Sequence, residues 1–191
     1  FSHPRRDSFC GAALDSFTAG LAEAGHDFEI ADLHAEKFDP VMPLADEPDW
    51  NDDNKRYSDD VLREQARVTR HDGLAFVFPV WWWSMPAMLK GWIDRVWNNG
   101  WAYGSRKLPH RRALLLATAV GSEESYRTRE YDKAMQTQLI VGTLNFCGIA
   151  DAKLHLLCDV LAGPEPRRLL LAEAKDLGRQ FGDGAAPETT A

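Results

Sequence analysis

The sequence lacks several features that would assign it to a specialised class of protein. No apolar run approaches the roughly 20 residues that a membrane-spanning helix requires. Cysteine is scarce, with three residues and no CxxC spacing, which is typical of reduced thiols in a cytoplasmic protein. Basic residues are fewer than acidic ones, 22 against 29, and this balance argues against nucleic acid as the main partner. The histidines show no ligand spacing, so we predict no metal site.

The remaining composition is that of one globular domain. The chain has 191 residues, of which 45% are hydrophobic and 27% are charged. A chain of this length can bury a full hydrophobic core, and neither an internal repeat nor a linker divides it. We therefore predict a single domain over residues 1–182, followed by a flexible tail of small polar residues over 183–191.

Helical and strand patterns alternate along the chain. Apolar residues at helical spacing predict helices over 9–25, 58–71, 85–97 and 131–146, with a last helix that opens at Pro164 or Pro166. Short apolar runs predict strands over 28–33, 73–78, 112–118 and 153–157. Phe1-Ser2 is expected to be the end of a further strand whose earlier residues precede Phe1. The alternation predicts a doubly wound α/β fold with a five-stranded parallel sheet.

Three loops follow the carboxyl ends of predicted strands, where open α/β sheets bind their ligands. The first loop runs from His3 to Cys10 and leads into a helix. Its backbone N–H groups, the Ser8 hydroxyl and His3 would suit a phosphate dianion. A capped helix start with exposed arginines is the alternative. The sequence has neither GxGxxG nor GxxxxGK[ST], which excludes a Rossmann dinucleotide fingerprint and a P-loop.

The second loop contains three consecutive tryptophans, Trp81 to Trp83. Adjacent residues point in different directions, so all three cannot enter the core, and indoles suit a wall against a flat ring such as an isoalloxazine. A hydrophobic dimer patch is the alternative, and both interpretations can hold together. The third loop, Thr118 to Tyr126, is rich in small residues that would let backbone amides approach a ligand ring; an ordinary connection is the alternative.

Together these loops resemble a family, the flavodoxin-like NAD(P)H:quinone oxidoreductases, which includes the ancillary oxidoreductases of potassium efflux systems. The most specific match is FPVWWWSMPAMLKGWIDRVW from Phe78, followed by GWAYG from Gly100. In this match a strand ends in Pro. It is followed by an aromatic pair, then a Ser-x-Pro motif, then a helix with the pattern Leu-Lys-x-Trp-Ile-Asp. His3-Pro4 with Ser8-Phe9, and Phe38-Asp39-Pro40, match in the expected order. The resemblance implies the sheet order 2-1-3-4-5, with helices on both faces.

The resemblance also implies a set of flavin contacts. On the phosphate side these are His3, Ser8, Phe9 and Cys10; along the ring they are Pro79, Val80, Trp81, Trp82, Trp83, Thr118, Ala119, Val120 and Gly121. Tyr126 matches a catalytic Tyr that helps to stabilise reduced flavin in mammalian-type quinone reductases, but the His that those enzymes carry six residues later is Asp132 here. The third loop reads Ala-Val-Gly rather than the commoner Thr-Gly-Gly, and Cys10 stands where Asn is usual.

The resemblance implies a flavin-dependent NAD(P)H oxidoreductase that passes two electrons, as a hydride, to quinone-like acceptors by a ping-pong mechanism. FMN is the expected cofactor, FAD is the alternative, and NAD(P)H is the co-substrate. The tryptophan-rich surface near residues 81–101 predicts a homodimer. Two other functions are alternatives: a regulatory flavoprotein subunit that binds a membrane potassium-efflux transporter, and a flavin electron carrier.

Overall fold

A computed structural model of the protein describes residues 1–182; the predicted tail over 183–191 lies outside the described residues. The helices are α1 (Phe9–Glu23), α2 (Asp59–Thr69), α3 (Ala87–Val96), α4 (Glu123–Thr128), α5 (Tyr131–Met135) and α6 (Pro164–Gln180), with a 3-10 turn at Leu44–Asp46 and a π-helix at Gln136–Asn145. The strands are β1 (Gly73–Pro79), β2 (Arg112–Thr118) and β3 (Asp151–Leu157). Among residues 1–182, no helix combines the length and apolarity needed to cross a bilayer.

The three strands form one parallel sheet in the order β1-β2-β3. Their register is even, so that Pro79 pairs with Thr118 and Thr118 pairs with Leu157 at the carboxyl ends. Because the three strands end in step, the loops that follow them begin side by side along one edge of the sheet. The parallel α/β architecture predicted from the alternating pattern is confirmed.

Within residues 1–182 the sheet has three strands, so the predicted number of five is not confirmed. In this part of the chain residues 28–33 form no strand, and Phe1 and Ser2 lie beside the edge of β1 that does not pair with β2. The Ser2 N–H donates to the Val77 carbonyl at 3.1 Å, and the Phe1 amino group donates to the Ala31 carbonyl at 2.7 Å. These bonds place Phe1 and Ser2 between residues 31–33 and β1, but each segment carries too few backbone bonds to form a strand.

A groove of about 560 Å³ opens between residues 27–31 and the first half of β1. Leu14 and Phe17 of α1 and Trp92 of α3 contribute apolar walls. The groove also reaches Gly73 and Arg112, which stand at the amino ends of β1 and β2. It therefore lies toward the edge opposite the strand carboxyl ends and is separate from the loops singled out in the sequence.

Both faces of the sheet are covered by helices. Val77 and Leu116 pack with Phe17 of α1 in one buried cluster, whereas Phe78 and Leu115 belong to a second cluster that includes residues of α3 and the π-helix. Neighbouring strand residues thus point into different clusters, which is why these strands read as unbroken apolar runs.

The helix predicted over residues 131–146 is divided into two kinds of helix. α5 ends at Met135, and the chain continues as the π-helix. There the Phe146 N–H donates to the Val141 carbonyl, five residues back, at 3.2 Å, and the Thr143 hydroxyl donates to the Gln138 carbonyl at 3.0 Å. Segments of π-helix occur frequently at functional sites. Helix α4 was not predicted, because its six residues are too few for a periodic pattern.

Candidate functional site

The structure brings the three singled-out loops together at the carboxyl edge of the sheet. The Val80 N–H donates to the Thr118 carbonyl at 2.8 Å, which continues the β1–β2 pairing into the second and third loops. The His3 and Trp81 rings lie 6.2 Å apart between centroids, so the first loop borders the second. One continuous surface therefore contains residues of all three loops.

A fourth loop, residues 158–163 after β3, reaches the same edge. The Asp159 N–H donates to the Gly121 carbonyl at 3.2 Å, and the Val160 N–H donates to the Ala119 carbonyl at 3.2 Å. This loop was not among the predicted site loops, although it follows a predicted strand, which is the signal that identified the other three.

The first loop ends in a capped helix with free donors. The Ser8 Oγ accepts a hydrogen bond from the Gly11 N–H at 3.1 Å, which makes Ser8 the N-cap of α1. Within residues 1–182, the N–H groups of Phe9 and Cys10 have no hydrogen-bond partner. Because α1 is 15 residues long, its dipole adds positive potential at this end. An anionic group would find two donors and a favourable field here.

The polar side chains of the first loop are mostly committed to other partners. The His3 Nδ1 accepts the Arg5 N–H at 3.0 Å, and burial lowers the pKa of His3, so its ring is neutral at pH 7. Arg6 forms an ion pair with Asp15. The capped start with exposed arginines is thus present, together with the unpaired backbone donors.

The Cys10 side chain points away from the loop edge. It is 2% exposed and packs in the core cluster of α1. Burial raises the pKa of the Cys10 thiol to about 11, against a smaller opposing effect of the Thr118 hydroxyl. Only the backbone N–H of Cys10 is therefore placed to meet a ligand.

Trp82 and Trp83 form the corner of a tight reverse turn. Both residues have a φ of 53°, in the left-handed region, and the flanking Trp81 and Ser84 exchange two backbone hydrogen bonds of 3.2 Å each. A two-residue turn with positive φ at both positions usually contains Asn and Gly. Each other residue in that region costs about 1 kcal/mol or more, so the chain keeps two indoles where the backbone disfavours them.

This tryptophan turn presents indole surface and donors in the same place. Trp82 is 87% exposed, while Trp81 and Trp83 are 44% and 40% exposed, so none of the three enters the core. The Trp83 ring stacks on Tyr131 with 4.3 Å between centroids. Among the described residues, the N–H groups of Trp82 and Trp83 have no acceptor.

The third loop offers a further pair of donors. The Ala119 N–H is bound to the Leu157 carbonyl at 2.8 Å, whereas the N–H groups of Val120 and Gly121 have no partner within residues 1–182. Gly121 lies close to the Tyr126 ring: a Cβ at this position would be 3.1 Å from a ring atom. Any larger residue here would push the loop or the ring.

Four of the nominated ring contacts, Pro79, Val80, Trp81 and Ala119, cannot donate from the backbone. Pro79 has no N–H group, and the N–H groups of the other three bind carbonyls of neighbouring loop and strand residues. These positions can contribute shape and apolar surface, but the donors of the site come from the residues beside them.

Tyr126 is placed as a neutral donor, but it has no acidic partner at Asp132. Its side chain is 6% exposed, and burial, with a smaller effect of Cys158, raises its pKa. The Asp132 carboxylate instead accepts the Lys133 N–H at 2.9 Å. The neighbour of the Tyr126 ring is Tyr131, which packs edge-on at 6.0 Å. Tyr131 was not among the predicted site residues, since nothing in the local sequence pattern marks it.

The protein has a parallel sheet with helices on both faces, and loops with unpaired backbone donors at the carboxyl edge of that sheet. These features define a flavodoxin-like α/β protein. A family model described as flavodoxin-like fold matches residues 1–180. This match covers all the elements that build the edge.

Individual relatives narrow the assignment. The chain is 40% identical over 162 residues to the uncharacterized NAD(P)H oxidoreductase YcaK of Escherichia coli, covering 84% of this chain and 82% of that protein. The structure of an NAD(P)H:quinone oxidoreductase from Methanothermobacter marburgensis matches with a TM-score of 0.91 and 31% identity, over 96% of this chain and 94% of that one. An FMN-dependent NADH-azoreductase from Bacillus anthracis, solved with FMN, shares the fold alone, with a TM-score of 0.70 and 16% identity over 94% and 96% of the two chains. The chain belongs to the flavodoxin-like NAD(P)H:quinone oxidoreductase family.

Proposed function

We propose that the protein is a flavin-dependent NAD(P)H oxidoreductase that transfers two electrons to a quinone-like acceptor by a ping-pong mechanism. The observation that carries the proposal is the group of backbone N–H donors, unpaired within residues 1–182, that three loops contribute to one edge of the sheet. These donors belong to Phe9, Cys10, Trp82, Trp83, Val120 and Gly121. Such a set suits a ligand with an anionic group at one end and a flat polar-edged ring at the other.

FMN fits this donor set in two parts. Its phosphate would be held by the N–H groups of Phe9 and Cys10 and by the Ser8 hydroxyl, at the positive end of α1. Its ring would be held between the tryptophan turn and the loop that contains Val120 and Gly121. An azoreductase solved with FMN shares this fold, which supports a flavin as the ligand; we propose FMN, with FAD as the alternative.

The residues of the chain would orient the reactants and manage charge. A bound flavin supplies hydride chemistry, accepting a hydride from NAD(P)H and giving it to the acceptor. The N–H groups of Val120 and Gly121 would stabilise the negative charge that develops at the ring edge. Tyr126 would donate a hydrogen bond there, since its raised pKa keeps the phenol protonated. The exposed indoles would favour flat aromatic acceptors.

The test is the spectrum of the purified full chain after addition of FMN or FAD. We expect the visible absorbance of bound oxidised flavin, its loss on addition of NAD(P)H and its return on addition of a benzoquinone. Parallel double-reciprocal lines would support the ping-pong order, and mass spectrometry of the released cofactor would identify it. Failure to bind either flavin at micromolar concentration would refute the proposal.

The same proposal includes a homodimer in the cytoplasm. Support comes from the apolar surface left exposed at the tryptophan turn, above all Trp82 at 87%, because patches of this kind mark association sites. Cys10 and Cys147 are buried free thiols, which suits a reducing compartment. Light scattering at tens of micromolar should give the mass of two chains; a monomer would contradict the dimer.

The transporter-regulating and electron-carrier alternatives rest on the sequence resemblance alone. The relatives described above bear oxidoreductase names, and this favours turnover of NAD(P)H. Rapid flavin reduction by NAD(P)H followed by quinone turnover would leave the carrier role without a basis.

A further inference from the structure

The tryptophan turn is strained, and its own polar contacts hold it only weakly. The two backbone bonds between Trp81 and Ser84 are 3.2 Å long, at the far end of the N–H···O range. The Ser84 hydroxyl reaches the Gln138 side-chain oxygen at 3.3 Å, beyond the usual O–H···O distance. Contacts of this length do not account for two tryptophans kept in left-handed conformations.

The close contact of the turn is the stack between Trp83 and Tyr131. The ring centroids lie 4.3 Å apart with an angle of 32° between the planes, which is tighter than most aromatic pairs. Tyr131 is half-buried, so this contact is partly shielded from water. Of the turn's contacts, the stack is therefore the one with the geometry to oppose the backbone strain.

Tyr131 is itself held in place from the other side. Its ring packs edge-on against Tyr126 at 6.0 Å and 81°, and Tyr126 is buried beside Gly121. Tyr131 is also the first residue of α5, directly after Glu130, whose φ of 57° turns the chain sharply. A row of rings therefore joins the third loop to the tryptophan turn.

We propose that Tyr131 is a positioning residue whose ring holds the Trp82–Trp83 turn closed and so keeps the donors of that turn available to a flavin. The second half of this statement rests on the proposed function; the first half concerns the protein alone. The ring, rather than the hydroxyl, carries the effect, because the contact is a stack.

The primary experiment is hydrogen exchange of the full chain without flavin. Trp81 and Ser84 donate to each other's carbonyls, so their amides report whether the turn is closed. We expect Tyr131→Ala to speed their exchange by about tenfold, which corresponds to one contact of about 1.4 kcal/mol. The matched control Tyr131→Phe keeps the ring and should exchange at the wild-type rate. Unchanged exchange in Tyr131→Ala, or equal acceleration in Tyr131→Phe, would overturn the proposal.

A rescue variant distinguishes positioning from general support of the fold. Glycine adopts the left-handed region without penalty, so the double variant Trp82→Gly with Tyr131→Ala should return Trp81 and Ser84 to slow exchange. If Tyr131→Ala also loses protection in the buried strand β2, Tyr131→Leu replaces it as the ring-deleting variant. Failure of the glycine to restore slow exchange would mean that Tyr131 acts through the fold as a whole.

FMN titration then tests the link to the ligand. Tyr131→Ala should bind FMN about tenfold more weakly than Tyr131→Phe. A wild-type chain that binds no flavin would refute the proposed function and leave the exchange result standing. Equal FMN affinity of the two variants, with a turn that opens as expected, would overturn the link between the turn and the flavin.

Discussion

Replacing Arg95 by Met tests the buried ion network that fixes residues 39–60 against α3. The Arg95 side chain is 4% exposed, and that of Asp46 is 0% exposed. The Arg95 Nη2 lies 2.6 Å from an Asp46 carboxylate oxygen and 2.8 Å from one of Asp60, while Nη1 donates to the Asp39 carbonyl at 2.6 Å. With a longer bond to the Ser58 hydroxyl at 3.3 Å, one guanidinium thus donates to acceptors on four residues.

The magnitude follows from what the substitution leaves behind. Without the guanidinium, the Asp46 carboxylate stays buried with only the N–H and hydroxyl of Ser58, at 2.8 and 2.7 Å, as partners. Breaking a buried pair at one partner costs about 3–5 kcal/mol. Since a domain is stable by about 5–15 kcal/mol, Arg95→Met should remove a large part of the free energy of unfolding.

Urea unfolding followed by circular dichroism measures the loss, with Arg168→Met as the control. The Arg168–Glu165 pair is equally short, at 2.6 Å, but its side chains are 66% and 68% exposed, so its loss should barely move the midpoint. The double variant Arg95→Met with Asp46→Asn should be more stable than Arg95→Met alone, because a buried amide costs less than a buried charge.

The pH dependence gives the sign of the effect. Burial pushes the pKa of Asp46 upward, but hydrogen bonds from Arg95 and Ser58 outweigh it and hold the pKa below its usual range. The network therefore stabilises the fold above the ordinary carboxyl pKa of about 4 and loses that contribution as the pH falls. The difference between wild type and Arg95→Met should be widest near neutral pH and should narrow on acidification. Equal midpoints for Arg95→Met and Arg168→Met at neutral pH, or a difference that widens in acid, would refute the reasoning.

Three further outcomes are expected. Tyr126→Phe should slow flavin reduction by NADH or NADPH about 5- to 30-fold in stopped flow, because it removes one hydrogen bond of about 1–2 kcal/mol. Asp132→Ala should change the rate much less. The reverse order of effects would show that the catalytic role assigned to Tyr126 from the family resemblance is wrong. Gly121→Val should slow reduction more than either, because even a Cβ would lie 3.1 Å from the Tyr126 ring. Burial raises the pKa of the three thiols from 9.0 to about 11, so they should resist alkylation in the folded protein at pH 8. For the same reason the free energy of unfolding should decline as the pH rises from 9 toward 11. Rapid stoichiometric labelling of the thiols would contradict this prediction.

The strands and their common edge could be predicted because local chemistry determines them. Gly73–Pro79 and Arg112–Thr118 are apolar runs of strand length, and a run without alternation requires cover on both faces. Once the strands are parallel, the position of their following loops is a matter of topology. The same reasoning explains why the fourth loop, residues 158–163, could have been found.

Contacts between distant segments could not be predicted in this way. The acidic stretch that contains Asp46 suggests a solvated loop, yet Asp46 is fully buried because Arg95, 49 residues later, neutralises it. Tyr131 offers no pattern of its own, and its importance comes from two rings that lie five and 48 positions away in the chain. Pairings of this kind depend on tertiary packing, which a single sequence does not encode in any local period.

The backbone conformation of the tryptophan turn could not be predicted from the sequence either. Tight turns with positive φ are recognised by Gly, Asn or Asp, and Trp82-Trp83 has none of them. The five-stranded sheet is not confirmed for a different reason: residues 28–33 have the composition of a strand, but the backbone bonds that join them to Phe1, and Ser2 to β1, are too few to define strands.

The π-helix makes one stretch of the chain unusually sensitive to length. Its hydrogen bonds span five residues instead of the four of an α-helix, so deletion of a single residue such as Gly142 would let the segment re-form as a regular helix. A π-helix turns by less per residue than the 100° of an α-helix, so the conversion would change the angular position of the residues beyond the deletion relative to those before it. Phe146 would swing away from Tyr103, with which its ring is paired at 5.9 Å. Deletion of one residue here would thus change which side chains after the deletion face the rest of the protein, although the segment would remain helical.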